Sequence, residues 1–294
     1  MDIKTLTNFL EISRTGNMTR AAEVLHIAQP ALSKQMQELE DELGKKLFNR
    51  KSRGLSLTEE GLLLKQRAAE IIELVHKTEN EFKSLDEVTG GDIHIGCAEA
   101  DGFKYFVRVL NELKKNYPRV RFHLYSSDSD STTDKLDRGL LDFAIIAHGN
   151  IDLTKYNYAT LPTKNLWGLI MRKDFPLAHN EKITRADILK IPLICSRQGL
   201  SEELLGWLGD DREKIKIAAT YDMIFNASIM VKENIGCALG YDKIIYTGDD
   251  SELCFRPLSP AQESPMHIIW KKHKIFTPIA KLLMQHLCKT FDAK

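Results

Sequence analysis

The sequence predicts a multidomain chain: a small, mainly helical head carrying a basic hairpin, a long linker helix, and an α/β domain of two lobes. Three observations carry this. The hydrophobic period changes near residue 90, from helical spacing before it to short β-rich runs alternating with helical stretches after it. A basic segment without acids, Lys45 to Arg53, interrupts the helical part. The length, 294 residues, fits about two domains at about 150 residues each. With 43% hydrophobic and 28% charged residues, collagen-like and wholly disordered readings are excluded. Lys plus Arg, 41, balances Asp plus Glu, 41, so any contact with a polyanion must come from a local patch.

The first helix is expected to carry Leu6, Phe9, Leu10 and Ile12 on one side and to stop at Gly16. A short second helix holds Ala21, Ala22, Val24 and Leu25. The third sets Leu32, Met36, Leu39 and Leu43 at spacings of four, three and four, with Pro30 in the first turn, where a missing N–H costs nothing. Its other face carries Gln29, Ser33 and Gln37 every four residues, with Lys34 beside them. All four acids (Glu38, Glu40, Asp41, Glu42) lie in the C-terminal half. That segregation suits entry of the N-terminal half into a major groove, where amide and hydroxyl groups read base edges. A plain solvated face is the alternative. The next segment bears on that choice: five bases (Lys45, Lys46, Arg50, Lys51, Arg53), then Gly54 and the alternation Leu55-Ser56-Leu57, predict a hairpin wing whose cations grip backbone phosphates.

Thr19-Arg20-Ala21-Ala22-Glu23-Val24-Leu25-His26-Ile27-Ala28-Gln29-Pro30-Ala31-Leu32-Ser33, followed by Leu39 to Gly44, Leu47 to Arg50 and Gly54 to Gly61, resembles the LysR-type transcriptional regulators almost continuously over residues 2–61. The resemblance implies an all-α winged helix-turn-helix with a long linker helix, plus an α/β two-lobed, periplasmic-binding-protein-like effector domain. It implies a homodimer or homotetramer that binds an interrupted inverted repeat of double-stranded DNA under control of a small-molecule effector. Gln29, Pro30, Ser33 and Gln37 are the candidates for base edges, and Arg20, Lys34, Arg50, Lys51 and Arg53 for phosphates or the minor groove. The expected domains are 1–58 for the head, 59–88 for the linker, a hinge at 89–91, and 92–294 for the effector domain. Within the last, lobe I is 92–161 and 265–294, and lobe II is 162–264.

Thr58 is the expected N-cap of the linker helix, with Glu59 and Glu60 in its first turn. Leu64, Ala68, Ile71, Val75, Thr78, Phe82 and Leu85 follow at alternating spacings of four and three, an a/d seam. A helix over 58–88 would extend about 46 Å at about 1.5 Å per residue. The seam could pack on its own chain, but one small domain cannot cover that length, which predicts dimerisation through the seam.

Beyond the hinge, runs at 93–95, 120–125 and 143–146 read as strands separated by helices, and 166–171, 192–194, 215–218 and 235–239 as a second such set. The return is a strand at 266–270 and a closing helix from Pro278 to Phe291. Chain crossings are expected near Leu161 and Ser264. A cleft between strand ends is where small ligands bind in open sheets. The candidates just after strands are Glu99, Asp101, Ser127, Ser129 and His148 in lobe I, and Ser196, Arg197, Thr220 and Tyr221 in lobe II. Each also has an ordinary reading as a cap, loop or ion-pair residue. In the family, the first such turn commonly ends in Ser or Thr, which receives an anionic effector. Here Glu99-Ala100-Asp101 stands in its place, and a carboxylate capping the following helix would repel such an anion.

An enzyme is not expected: GxSxG, Walker-type, GxGxxG and HExxH patterns are lacking, and neither a metal nor a cofactor is called for. Five widely spaced cysteines without a CxxC argue against disulfides and a zinc ribbon. A redox switch through Cys195 and Cys237 is a rival reading, as is a small-molecule-binding protein without DNA activity. With neither signal peptide nor membrane-length apolar run in view, the expected location is the cytoplasm.

Overall fold

A computed structural model describes residues 1–51, 54–83, 90–147, 151–197 and 206–293; Arg53, Leu85 and His148 lie outside them. The chain divides into two compact units, 1–83 and 84–294.

In the first unit, α1 (Ile3–Thr15), α2 (Met18–Leu25) and α3 (Gln29–Leu43) precede a hairpin of β1 (Phe48–Lys51) and β2 (Gly54–Leu57), then α4 (Glu59–Lys83). Caps explain the boundaries. Asp2 and Asn17 accept the amides of Thr5 and Arg20, and Gly16 and Gly44 close α1 and α3 in the left-handed region that favours glycine. Leu6, Phe9, Ile12, Ala21, Ala22, Leu32, Met36 and Leu39 form one core, and the hairpin entry adds Leu47. Burial of each larger side chain contributes about 1.5–3 kcal/mol.

Two residues expected inside are not. Val24 is 48% exposed because only a narrow stripe of the short α2, Ala21 and Ala22, faces the core; Leu43, 39% exposed, stands at the last turn, past the core's edge. The seam divides as well. Leu64 and Ala68 pack into the head's own core together with Ile72, so these two positions support the head and do not form a free seam. Farther along, Ile71, Leu74 and Phe82 are exposed, Phe82 at 69%. Thr58 caps α4 through Gly61 N at 2.9 Å, and α4 has 25 residues, about 37 Å.

The second unit is one continuous sheet with helices on its faces. Lobe I holds β3 (Gly90–Cys97), α5 (Phe103–Asn116), β4 (Arg119–Ser126), α6 (Ser129–Asp137) and β5 (Phe143–Ile146), with β4 and β5 parallel to β3 on either side. The 17-residue β6 (Tyr156–Arg172) runs on into lobe II. There follow β7 (Ile183–Thr184), α7 (Arg185–Ile188), β8 (Pro192–Ser196), β9 (Lys216–Tyr221), α8 (Ile224–Lys232), β10 (Cys237–Tyr241) and β11 (Leu253–Ser259). The chain returns through β12 (Glu263–Lys271) to α9 (Pro278–Thr290) and β13 (Asp292–Ala293). β6 and β12 pair antiparallel from Leu166↔Glu263 to Tyr156↔Lys271, with a bulge between Pro265 and His267, so two long strands carry the crossing. Ile235, expected in a strand, precedes β10 and is exposed.

Candidate nucleic-acid interface and interlobe site

The core fixes which face of α3 stays outside. Leu32, Met36 and Leu39 face inward, so Gln29, Pro30, Lys34 and Gln37 are exposed and Ser33 is half-buried. Gln29 to Gln37 spans about 12 Å of helix, the width of a major groove. Ala28 occupies the N-cap of α3 with no side-chain cap; Pro30 in the first turn has no N–H, and the amides of Ala31 and Leu32 both donate to the Ala28 carbonyl, at 3.0 and 3.1 Å. Arg20 is exposed on α2.

Gln37 and Glu40 of α3 have partners within the head. Gln37 is partly engaged: its Nε2 donates to Asp41 Oδ1 at 2.7 Å, and its Oε1 accepts from Lys46 Nζ at 3.3 Å. Glu40 is not on a solvated acidic face. It is 8% exposed, and its Oε1 accepts the amides of Leu47 at 2.8 Å and Phe48 at 3.3 Å, while Oε2 meets Lys46 Nζ at 2.7 Å. It ties α3 to the entry of the hairpin, which the sequence did not reveal because the partners are backbone amides. Lys46 is thus matched to Glu40, Lys45 approaches Glu60 at 3.9 Å, and Lys34 approaches Glu38 at 3.6 Å. Arg50 and Lys51 lie on β1, opposite Leu55 and Gly54.

In the second unit the strand ends of both lobes meet. Glu99, after β3, reaches into lobe II: its Oε2 accepts the amide of Ile224, first residue of α8, at 2.9 Å. Tyr241, at the end of β10, donates back to the Ala147 carbonyl of lobe I at 2.8 Å. Its ring lies 4.4 Å from that of Trp167, whose Nε1 donates to the wholly buried Ser264 on the returning strand. Tyr221 donates to Leu239 O at 2.8 Å; burial pushes its hydroxyl pKa up, with the charge of Glu99 adding to the effect. Asn165, beside the crossing and 4% exposed, is left with Nδ2 unpartnered among the described residues.

The other candidates have local duties. Asp101 does not cap α5; it pairs with Lys104, and Gly102 at the N-cap position makes no side-chain cap. Ser127 bonds to Thr132 Oγ1 at 3.1 Å, while the buried Ser129 is the first residue of α6, whose cap is Asp128. Arg197 is exposed and pairs with Asp222 at 3.2 Å; Thr220 is exposed on β9, and Ser196 is half-buried. Tyr241 was missed although it stands two residues after the expected strand 235–239, within reach of the rule of residues just after strands; the structure makes it the last residue of β10. Cys195 and Cys237 are buried in β8 and β10, and burial pushes their thiols up to about 11 and about 12. That opposes thiolate chemistry.

Residues 3–62 match the family described as bacterial regulatory helix-turn-helix protein, lysR family, and residues 86–292 match the LysR substrate binding domain. A Bacillus subtilis (strain 168) HTH-type transcriptional regulator, YwbI, is 29% identical over 97% of this chain and 95% of its own. A hydrogen peroxide-inducible genes activator of Pectobacterium carotovorum subsp. carotovorum is 28% identical over 70% of this chain and 68% of its own. The fold is that of CbnR, solved in complex with its target DNA, with a TM-score of 0.74 and 18% identity over 98% of this chain and 99% of that one. Among the described residues no helix is long and apolar enough to cross a membrane.

Proposed function

The chain belongs to the LysR family of bacterial transcriptional regulators, with a DNA-binding helix-turn-helix joined to an effector-binding domain, and from that premise we propose how this member works. It acts in the cytoplasm by binding rather than by catalysis. Gln29, Pro30 and Ser33 lie against base edges, and Arg20, Lys34 and the wing residues Arg50, Lys51 and Arg53 lie against phosphates or the minor groove of an interrupted inverted repeat. The observation that carries this is α3 itself: its apolar face is locked in the head core, while the opposite face of its uncapped N-terminal half is exposed and free of acids.

Copies associate through the outer part of α4, where Ile71, Leu74 and Phe82 leave an apolar stripe in water. The second unit also exposes Val107 and Leu124 on lobe I and Phe225 and Ile229 on lobe II, patches that two copies related by a twofold axis bury reciprocally in a tetramer. Effector binding between the lobes shifts the population of assembly states and hence the spacing of the heads.

The test is site selection from a randomised duplex library by the full chain. Base preference within each half-site and a steep loss of binding with salt are expected. Ser33→Ala relaxes preference at one position by about 1–3 kcal/mol. Failure to bind duplex DNA in dilute buffer, or unchanged selectivity in Ser33→Ala, overturns the assignment.

A further inference from the structure

Helix α8 begins without a cap of its own. Met223 occupies the N-cap position and offers no side-chain acceptor, and the neighbouring Asp222 is paired with Arg197. The acceptor comes from 125 residues away, where Glu99 of lobe I bonds to the Ile224 amide at 2.9 Å. This satisfies one of the four orphan amides of the helix with a full negative charge at its positive end. Ile224 is 2% exposed, so water is a poor substitute. A second bond, Tyr241 Oη to Ala147 O at 2.8 Å, runs in the opposite direction between the same lobes.

We propose that Glu99 is the specificity-determining residue of the interlobe cleft: a built-in carboxylate that latches lobe I to lobe II and excludes carboxylate effectors from the cleft. The proposal rests on the effector-responsive reading above and deepens it. A free carboxylate aimed at the α8 amides competes with a group tethered beside them, at an effective concentration in the millimolar range. If the latch is closed ten times in eleven, the competitor's apparent affinity falls about tenfold, because only the open fraction receives it. A neutral or cationic effector leaves the bond intact and meets no such competition.

The experiment is hydrogen–deuterium exchange on the full-length protein, comparing wild type, Glu99→Ala and Glu99→Gln, with and without succinate as the carboxylate probe. Glu99→Ala is expected to speed exchange about tenfold in the segment spanning 222–228, leaving the lobe I helix 106–113 unchanged. Glu99→Gln, which keeps an acceptor without charge, should fall between the two. Succinate should slow the 222–228 segment in Glu99→Ala and leave wild type unaffected. The proposal is overturned if exchange at 222–228 is unchanged in Glu99→Ala, if it rises equally across both lobes as in a general loss of stability, or if succinate protects wild type as well as the variant. Promoter binding by wild type, measured in parallel, separates the two claims: its absence removes the regulator reading without touching the exchange result.

Discussion

Replacing Glu40 by alanine tests whether one buried carboxylate fixes the hairpin to α3. In Glu40→Ala the Leu47 amide, on a residue 1% exposed, loses its partner at 2.8 Å, and an unsatisfied buried donor costs about 1–3 kcal/mol. The longer bond to Phe48 adds about 0.5–1 kcal/mol. The contact with Lys46, whose side chain is 66% exposed, adds about 0–1 kcal/mol. The total is about 3 kcal/mol, or about 12–24 °C for a unit of this size. Glu40→Gln keeps the Oε1 acceptor and should lose about 1 kcal/mol. The three tryptophans, Trp167, Trp207 and Trp270, all lie in the second unit, so the chain contains its own control. Thermal unfolding followed by far-ultraviolet circular dichroism should show the head's phase shifted to lower temperature, while the tryptophan fluorescence transition stays in place. A Glu40→Ala shift below about 0.5 kcal/mol, or an equal shift in both signals, refutes the reasoning.

Gly61→Ala should destabilise the head by about 2 kcal/mol or more, because the added Cβ would stand 2.2 Å from the Leu47 carbonyl oxygen; a circular dichroism midpoint equal to wild type contradicts this. Leu74→Lys and Phe82→Lys place charge on the exposed stripe of α4 and should lower the mass in sedimentation equilibrium, whereas an unchanged mass puts the association elsewhere. Asp92 is pushed upward by burial, but hydrogen bonds from Arg121 and His123 outweigh that and hold its carboxyl below the ordinary 3.8. Its stabilising contribution is therefore present above 3.8 and is lost as the pH falls through the lower folded value. Asp92→Asn should flatten the acid limb of urea midpoints read by fluorescence, and an unchanged slope rejects it. Cys195 and Cys237, with thiols pushed up to about 11 and about 12, should resist iodoacetamide at pH 8, whereas alkylation of either in the folded protein would restore the redox reading.

The head was largely legible because its determinants are short-range. The apolar spacing of Leu32, Met36 and Leu39, the stop at Gly16 and the cap at Thr58 all act within one or two helical turns, and the elements lie where those signals stand. The β-rich runs of the second unit were legible for the same reason, down to β5 at Phe143–Ile146. The seam was only half legible. Heptad spacing identifies an apolar stripe but not the surface that covers it, and Leu64 and Ala68 are covered by the head while Ile71 and Phe82 are exposed. The two-residue β7 and β13 and the Pro257-interrupted β11 had no local signal strong enough to mark them; β11 and β13 both pair with β6, and β7 with β11.

What stayed hidden has a common chemistry. Asp2, Asn17 and Asp128 accept amides three residues ahead, and spacing alone suggests such bonds. Among the described residues, four carboxylates bond instead to amides farther along the chain: Glu40 to Leu47, Glu99 to Ile224, Asp142 to His94 at 2.8 Å, and Asp242 to Leu166 at 3.1 Å. Every residue but proline has an N–H, so the partner leaves no mark in the sequence, and an acid of this kind reads as one more solvated charge. Glu99 and Asp101 show the consequence. The sequence presents them as equivalent acids in one turn, and helix-cap logic favours Asp101 because α5 begins just after it. The structure gives Asp101 to a neighbouring lysine and sends Glu99 across to the other lobe. The acid with no local task is the one free to join distant segments, so carboxylates lacking both a cap position and an i+3 or i+4 cation are where long-range constraints in such folds should be sought first.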